Sequence, residues 1–229
     1  VKHIDSLSVI IPAFNEVASL GDTLAEVLGE LAPLGIRFEV IVVDDGSQDG
    51  SGELLSGWAA ADPRIRVVRH VRNLGKGSAL RSGLAVAACD WSLFIDADRQ
   101  VPMSALEAFD VAARDAEILI GYRCHKNQPL ARRIISAAYK LFVGTLFGVR
   151  VRDVGCPFKL LRTELARSIE LSTAGFGFDV ELLWRLARSG RQMVELPVES
   201  LPRRAGASKV TPGRIVHCSV ELLLLRIRG

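Results

Sequence analysis

Residues 38–60, FEVIVVDDGSQDGSGELLSGWAA, decide the fold. An apolar, β-branched run ends at the acidic pair Asp44–Asp45, and a turn rich in Gly, Ser and Asp then feeds apolar positions at helical spacing. Ser47 or Asp49 is placed to cap that helix. A strand that is apolar throughout, with no alternation, is expected to be covered on both faces. The same unit recurs on either side. LSVIIPAF (7–14) reads as a strand followed by a helix over 17–31, whose apolar residues Val17, Leu20, Leu24, Val27, Leu28 and Leu31 share one face. IRVVRH (65–70) reads as a strand, GKGSALRSGLAVAA (75–88) as a glycine-opened helix and WSLFID (91–96) as a fourth strand. Strands alternating with helices predict an α/β protein with a Rossmann-like, mainly parallel central sheet and helices on both faces.

After residue 104 the order changes. MSALEAFDVAARDA (103–116) predicts a helix, EILIGYR (117–123) a fifth strand and residues 130–149 one or two helices. VRDVGCPFKLLR (151–162) predicts another strand near the site, FGFDVELLWRLARSG (176–190) a helix closed by Gly190, and QMVELPVES (192–200) a last strand. RRAGASK (203–209) is a basic loop before a final amphipathic helix, RIVHCSVELLLLRIRG (214–229). At 229 residues the chain is sized for one domain, with no internal repeat or low-complexity linker.

Composition narrows the function. With 49% apolar and 24% charged residues the chain is globular. Its formal net charge is only +3. The charge is uneven, however: between Gly121 and Arg152 stand Arg123, Lys126, Arg132, Arg133, Lys140, Arg150 and Arg152, with no Asp or Glu. Such a block suits a solvated face, an anionic ligand or lipid headgroups. No nucleic-acid recognition motif accompanies it, so nucleic acid is not an expected partner. Cys89, Cys124, Cys156 and Cys218 lie far apart, without metal-ligand spacing, and read as reduced cysteines of a cytosolic compartment. No signal peptide and no bilayer-spanning run is visible. The abrupt end after LLLLRIRG leads us to expect that the natural chain continues, into membrane spans or otherwise.

In open parallel sheets ligands sit beyond the carboxyl ends of the strands. Asn15–Glu16, Asp44–Asp45, Asn73–Gly77 and Asp96-Ala97-Asp98 all fall there, so polar groups of separate loops converge on one edge. Residues i and i+2 of an extended segment point the same way, so Asp96 and Asp98 could share a face. Two carboxylates so close repel unless a cation lies between them. Hard oxygen ligands suit Mg²⁺ or Mn²⁺, with Gln100 able to add a side-chain oxygen. A metal beside anions in such a cleft points to a diphosphate, over which Arg203, Arg204 and Lys209 could close. The stretch RNLGKGSALRSG (72–83) is neither a P-loop nor a dinucleotide fingerprint. Gly75 and Gly77 would ease a tight turn, and Lys76 is placed to reach either nucleotide or solvent.

SVIIPAFNE, VIVVDDGSQDGS, RNLGKGSALRSG, FIDADRQ, GCPFKLLR, GFGFDVELL and ELPVES followed by RRAGASK, in that order, resemble the family 2 glycosyltransferases, and among them the dolichyl- and polyprenyl-phosphate sugar transferases. The resemblance covers nearly the whole chain. It implies a GT-A fold, a nucleotide-sugar donor (GDP- or UDP-hexose), a divalent metal, Mg²⁺ or Mn²⁺, and inversion at the sugar carbon. By the same resemblance Pro12, Ala13, Asn15, Glu16, Asp44 and Asp45 hold base and ribose, with Lys76, Ala97 and Lys209 joining the nucleotide site. Asp96, Asp98 and Gln100 match the metal and diphosphate motif. Arg203, Ser208 and Lys209 match the family's R-x-x-G-x-S-K loop, and Arg123 matches an arginine near the acceptor phosphate. Residues 1–100 then form a nucleotide-binding half and 101–229 an acceptor-binding half. Phe14, Arg99 and Pro157 depart from common family residues, which leaves the sugar, mannose or glucose, open.

A polyprenyl phosphate acceptor is already ionised, its second proton leaving near pH ~6, and needs no general base. Positive charge must hold it, and Arg123, Arg132 and Arg133 are the expected headgroup ligands. IISAAYKLFVGTLFGV (134–149) reads either as a core helix or as a helix in the membrane interface; the positive mean hydropathy favours the second, which places the protein at the cytoplasmic face of a membrane. A sugar-hydroxyl acceptor would instead need a base, and Asp153, Asp179 or Glu181 would have to supply it. A silent nucleotide-binding domain is the reading from another class, although a pure binder has little use for an acidic pair.

Overall fold

The computed structural model describes residues 3–124, 130–202 and 212–228, with side chains for 3–124, 136–202 and 218–227. Among these residues seven strands form one sheet: β1 Ser6–Ala13, β2 Arg37–Asp44, β3 Ile65–Arg69, β4 Trp91–Phe94, β5 Ile118–Arg123, β6 Lys159–Arg162 and β7 Met193–Val198. Their spatial order is β3-β2-β1-β4-β6-β5-β7. Only β6 runs antiparallel, to both β4 and β5.

Among the described residues eight α-helices cover the sheet: α1 Val17–Leu31, α2 Ser51–Ala61, α3 Lys76–Val86, α4 Leu106–Ala112, α5 Leu130–Phe147, α6 Thr163–Ser168, α7 Phe178–Arg188 and α8 Pro212–Arg228. Strand alternation sorts the core into two layers. Val9, Ile11, Val40 and Val42 pack with Leu20, Leu24, Leu55 and Phe109 of α1, α2 and α4. Ile10, Ile41 and Val43 pack with Leu80, Val143, Leu183 and Leu222 of α3, α5, α7 and α8 on the other face. The continuous apolar runs of β1 and β2 are therefore buried on both sides, as their sequence predicts.

Two local expectations change, and one that was open is decided. Gly50, with φ +90°, occupies the start of α2 where Ser47 or Asp49 was expected to cap it. Asp49 acts one residue earlier, accepting the Ser51 amide at 3.1 Å and the Val17 amide at 3.0 Å, so it ties two helix starts together. In VRDVGCPFKLLR only Lys159–Arg162 is strand, and residues 151–158 form a loop that carries Asp153 into the site. Residues 130–147 make one helix.

Candidate active site

The carboxyl ends of the parallel strands and the amino end of antiparallel β6 meet on one edge. Pro12 and Ala13 close β1. Asn15, with φ 51°, follows in the left-handed region that asparagine tolerates. Its Oδ1 accepts the Gln48 amide at 2.9 Å, while its own amide donates to Ser47 Oγ at 3.0 Å. Glu16 donates its amide to Ser51 Oγ at 3.2 Å and accepts the Ser19 hydroxyl on its side chain at 3.2 Å. The loops after β1 and β2 are thus stitched into one rim.

Asp44 and Asp45, consecutive on an extended chain, face opposite layers. Asp44 accepts the Ser47 amide at 2.9 Å and lines a polar cleft of about 330 Å³ with Gln48, Glu53, Arg69 and His70. Asp45 is only 3% exposed. It accepts the amides of Leu74 at 2.9 Å and Gly75 at 2.8 Å, and His70 Nδ1 lies 2.6 Å from it. His70 Nε2 in turn faces Ser82 Oγ at 2.9 Å. Asp45 therefore shapes the rim by organising the loop that leads into α3.

The D-x-D segment is held by α1. Thr23 donates to the Ala97 carbonyl at 2.9 Å. Arg99, at φ 55°, pairs with Glu26 at 2.5 Å and Asp22 at 3.2 Å. Asp98 is 5% exposed and accepts the Gln100 amide at 3.2 Å. Asp96 lies toward α3, where Lys76 Nζ is 2.7 Å from its Oδ1. Burial opposes ionisation of Asp96, but the charges of Lys76, Lys159 and Arg123 hold it below the usual carboxylate range. Burial likewise disfavours the Lys76 ammonium, yet Asp96, Asp179 and Asp98 keep it above the ordinary lysine range.

Behind this lies a second charge layer. Arg123, at the end of β5, holds Asp153 through Nε at 2.8 Å and Nη2 at 3.2 Å. Lys159, first residue of β6 and 1% exposed, donates to Asp179 at 2.6 Å and to the Cys156 carbonyl. Burial raises the Cys156 thiol above its usual pKa, so it stays protonated. Glu181, wholly buried, accepts the amides of Ser172 (2.9 Å) and Thr173 (2.7 Å), both their hydroxyls, and Arg185 Nε at 3.0 Å. Burial opposes its ionisation, but these bonds, Thr173's first, hold its carboxyl below the usual range.

The edge thus brings together Lys76, Asp96, Asp98, Arg123, Asp153, Lys159 and Asp179. Arg203, Arg204, Ser208 and Lys209 lie outside the described residues, as do the side chains of Arg132 and Arg133 and the whole of Lys126. The sequence did not single out Lys159. A lone lysine inside an apolar strand was the available signal, since lysine is almost never fully buried without a partner.

Asp96 and Asp98 suit a hard divalent cation. Asp96 already carries a cation at contact distance, the Lys76 ammonium. Among the described residues no three His, Cys, Asp or Glu side chains form a cage. Carboxylate oxygens are the donors that Mg²⁺ or Mn²⁺ takes, the remaining positions being filled by water and phosphate.

An open α/β sheet with charged groups gathered at the carboxyl edge is the class of fold that binds ligands at that edge. The glycosyl transferase family 2 model matches residues 8–147, and the chain belongs to that family. It is 32% identical over 224 residues to the undecaprenyl-phosphate mannosyltransferase of Micrococcus luteus, covering 93% of this chain and 90% of that one. It is 35% identical over 231 residues to the dolichyl-phosphate beta-glucosyltransferase of Drosophila melanogaster, covering 90% and 69%. Among solved structures it resembles glucosyl-3-phosphoglycerate synthase from Mycobacterium tuberculosis, crystallised with Mn²⁺, uridine diphosphate and phosphoglyceric acid. The TM-score is 0.71 at 22% identity, over 97% of this chain and 78% of that one. The fold is GT-A, and the protein is a glycosyltransferase.

Proposed function

We propose that this glycosyltransferase moves a hexose, mannose or glucose, from a GDP- or UDP-sugar to a polyprenyl or dolichyl phosphate, with inversion at the sugar carbon. The observation that carries the proposal is the state of the three carboxylates that could serve as a base. Asp153 is clamped by Arg123, Asp179 by Lys159, and Glu181 by two amides, two hydroxyls and Arg185. A carboxylate so engaged is a weak proton acceptor, and a hydroxyl nucleophile would lack a base. A phosphate monoester needs none. The names of the relatives from Micrococcus and Drosophila support the same acceptor class.

In this mechanism the acceptor oxygen attacks the anomeric carbon as the bond to the donor diphosphate breaks, and the nucleoside diphosphate leaves with the electron pair. Mg²⁺ or Mn²⁺, held by Asp96, Asp98 and Gln100, would supply Lewis-acid neutralisation of that leaving group. Pro12, Ala13, Asn15, Glu16, Asp44 and Ala97 are assigned to the nucleoside, with Asp45 shaping their rim, and Lys76, Arg203 and Lys209 are assigned to its phosphates. Arg123, Arg132, Arg133 and Ser208 take the acceptor headgroup, against its repulsion from the donor. Residues 1–100 then serve the donor and 101–229, apart from Arg203 and Lys209, the acceptor, within one catalytic domain.

The acceptor is a lipid, and we place the protein on the cytoplasmic surface of a membrane. No helix among the described residues is long and apolar enough to cross one. On α8, Cys218, Leu222 and Leu225 face the core, while Val220, Leu223, Leu224 and Ile227 form an exposed apolar row at helical spacing. Leu141 of α5 is 69% exposed. Such rows suit the headgroup boundary. Incubation with radiolabelled GDP-mannose or UDP-glucose should yield a chloroform-soluble product with polyprenyl phosphate and none with a hydroxyl-bearing glycoside. Labelling of the glycoside alone refutes the proposal.

A further inference from the structure

Lys76 is an odd choice for its position. It is the first residue of α3, where the helix dipole disfavours a cation. It is nevertheless directed inward, 2.7 Å from Asp96, with 18% of its side chain exposed. The backbone on either side is pinned. Gly77 and Ser78 donate their amides to the Ala174 carbonyl at 2.8 and 3.2 Å. A Cβ at Gly75 would lie 2.5 Å from the Ala174 oxygen, and one at Gly77 2.5 Å from the Thr173 oxygen. The 172–175 loop is itself anchored, by Glu181 and by Glu221 of α8, whose Oε1 accepts the Ala174 amide at 3.0 Å. The start of α3 is therefore fixed, and only the lysine's flexible stem is left to move.

From this geometry we infer that Lys76 is a placeholder cation: it occupies Asp96 while the donor is absent, and passes to the donor diphosphate when Asp96 takes up the divalent ion. The inference rests on the proposal that Asp96 and Asp98 hold that ion. Two cations cannot share one carboxylate oxygen without strong repulsion, so a free divalent ion must displace the ammonium from Asp96, leaving it the attraction of Asp179, which Lys159 already holds. A nucleoside diphosphate removes the conflict, because it supplies the ammonium with a new anion a few ångströms away. Metal and nucleotide are then thermodynamically coupled through one side chain, and each tightens the other.

The test is binding of Mn²⁺, followed by the loss of its free-ion paramagnetic resonance signal, to wild type, Lys76→Met and Lys76→Arg, alone and with UDP or GDP. Lys76→Met should bind Mn²⁺ alone about tenfold more tightly than wild type, and the nucleotide should tighten it less than it tightens wild type. Lys76→Arg, which keeps the charge, should behave as wild type. Equal or weaker Mn²⁺ binding by Lys76→Met overturns the placeholder role, as does an arginine variant that behaves like methionine. If no protein binds Mn²⁺ even with nucleotide present, the metal assignment falls and the placeholder role with it.

Discussion

Two acidic pairs end strands on either side of β1, and the fold uses them in opposite ways. After β2, Asp45 is sealed at 3% exposure and its oxygens are taken by two backbone amides and His70. After β4, Asp96 keeps about a third of its side chain exposed and meets a lysine stem that can swing away. A carboxylate bonded to backbone amides belongs to the architecture, since moving its partners means moving the chain. One bonded to a flexible ammonium can change partners. The difference lies in what each faces: Asp45 meets the amide-lined turn into α3, Asp96 the side chain of that helix's first residue.

The comparison predicts that mutations of the two pairs separate into lost chemistry and lost stability. Asp96→Asn should lower kcat about 10²–10³-fold, the scale of removing one preorganised electrostatic group, with a melting temperature near wild type. Paired turnover and thermal-unfolding measurements check it. Asp45→Asn should do the reverse. Its amide nitrogen would face one of two N–H donors, leaving a buried amide unpaired at a cost of about 2–3 kcal/mol in urea unfolding. If Asp45→Asn lost activity at full stability, the two pairs would be equivalent and the comparison would fail.

Glu181 extends the comparison, with a pH signature. Its folded carboxyl lies below the ordinary value of 4.5, so its stabilising contribution is complete above that value and lost as pH falls through the lower folded pKa. Glu181→Gln should therefore cost about 2 kcal/mol at pH 7. The gap between variant and wild type should narrow as pH is lowered toward 3. Urea titrations at both pH values measure it, and carboxylates common to the two proteins cancel in the difference.

The donor half was legible because each strand there is a continuous apolar run ending in a polar cluster. Local periodicity and the carboxyl-edge rule sufficed for β1 to β4 and for the convergence of Asp96 with Lys76. The second half resisted for physical reasons. β6 is four residues long, and nothing local distinguishes an antiparallel insertion between β4 and β5 from another parallel strand. α6, six residues, is too short to show a period. The partners of Asp153 and Asp179 are 30 and 20 residues away, and such pairings are set by topology rather than by spacing. Gly75, at φ +95°, makes the tight turn the sequence suggested, but what spacing could not show is the close approach of the Thr173 and Ala174 carbonyls, which a Cβ at Gly75 or Gly77 would strike.

That last point yields the smallest and cleanest contrast, between two helical glycines. Gly77→Ala must displace the Thr173 carbonyl, or Phe178 Cβ at 2.9 Å, and should cost about 1–2 kcal/mol through overpacking. Gly57, inside α2, has nothing within 4 Å of the position its Cβ would take. Gly57→Ala should instead stabilise by about 0.5–1 kcal/mol, the gain in helix propensity. Opposite signs from one chemical change would show that close approach, not backbone freedom, keeps Gly77 small. Because the loop that Gly77 touches holds the start of α3, Gly77→Ala should also raise KM for the sugar nucleotide through a displaced Lys76, while Gly57→Ala leaves it unchanged. A Gly77→Ala variant with unaltered KM would mean that the lysine reaches its ligands from either loop position, and the stiffness ascribed to this helix start would be wrong.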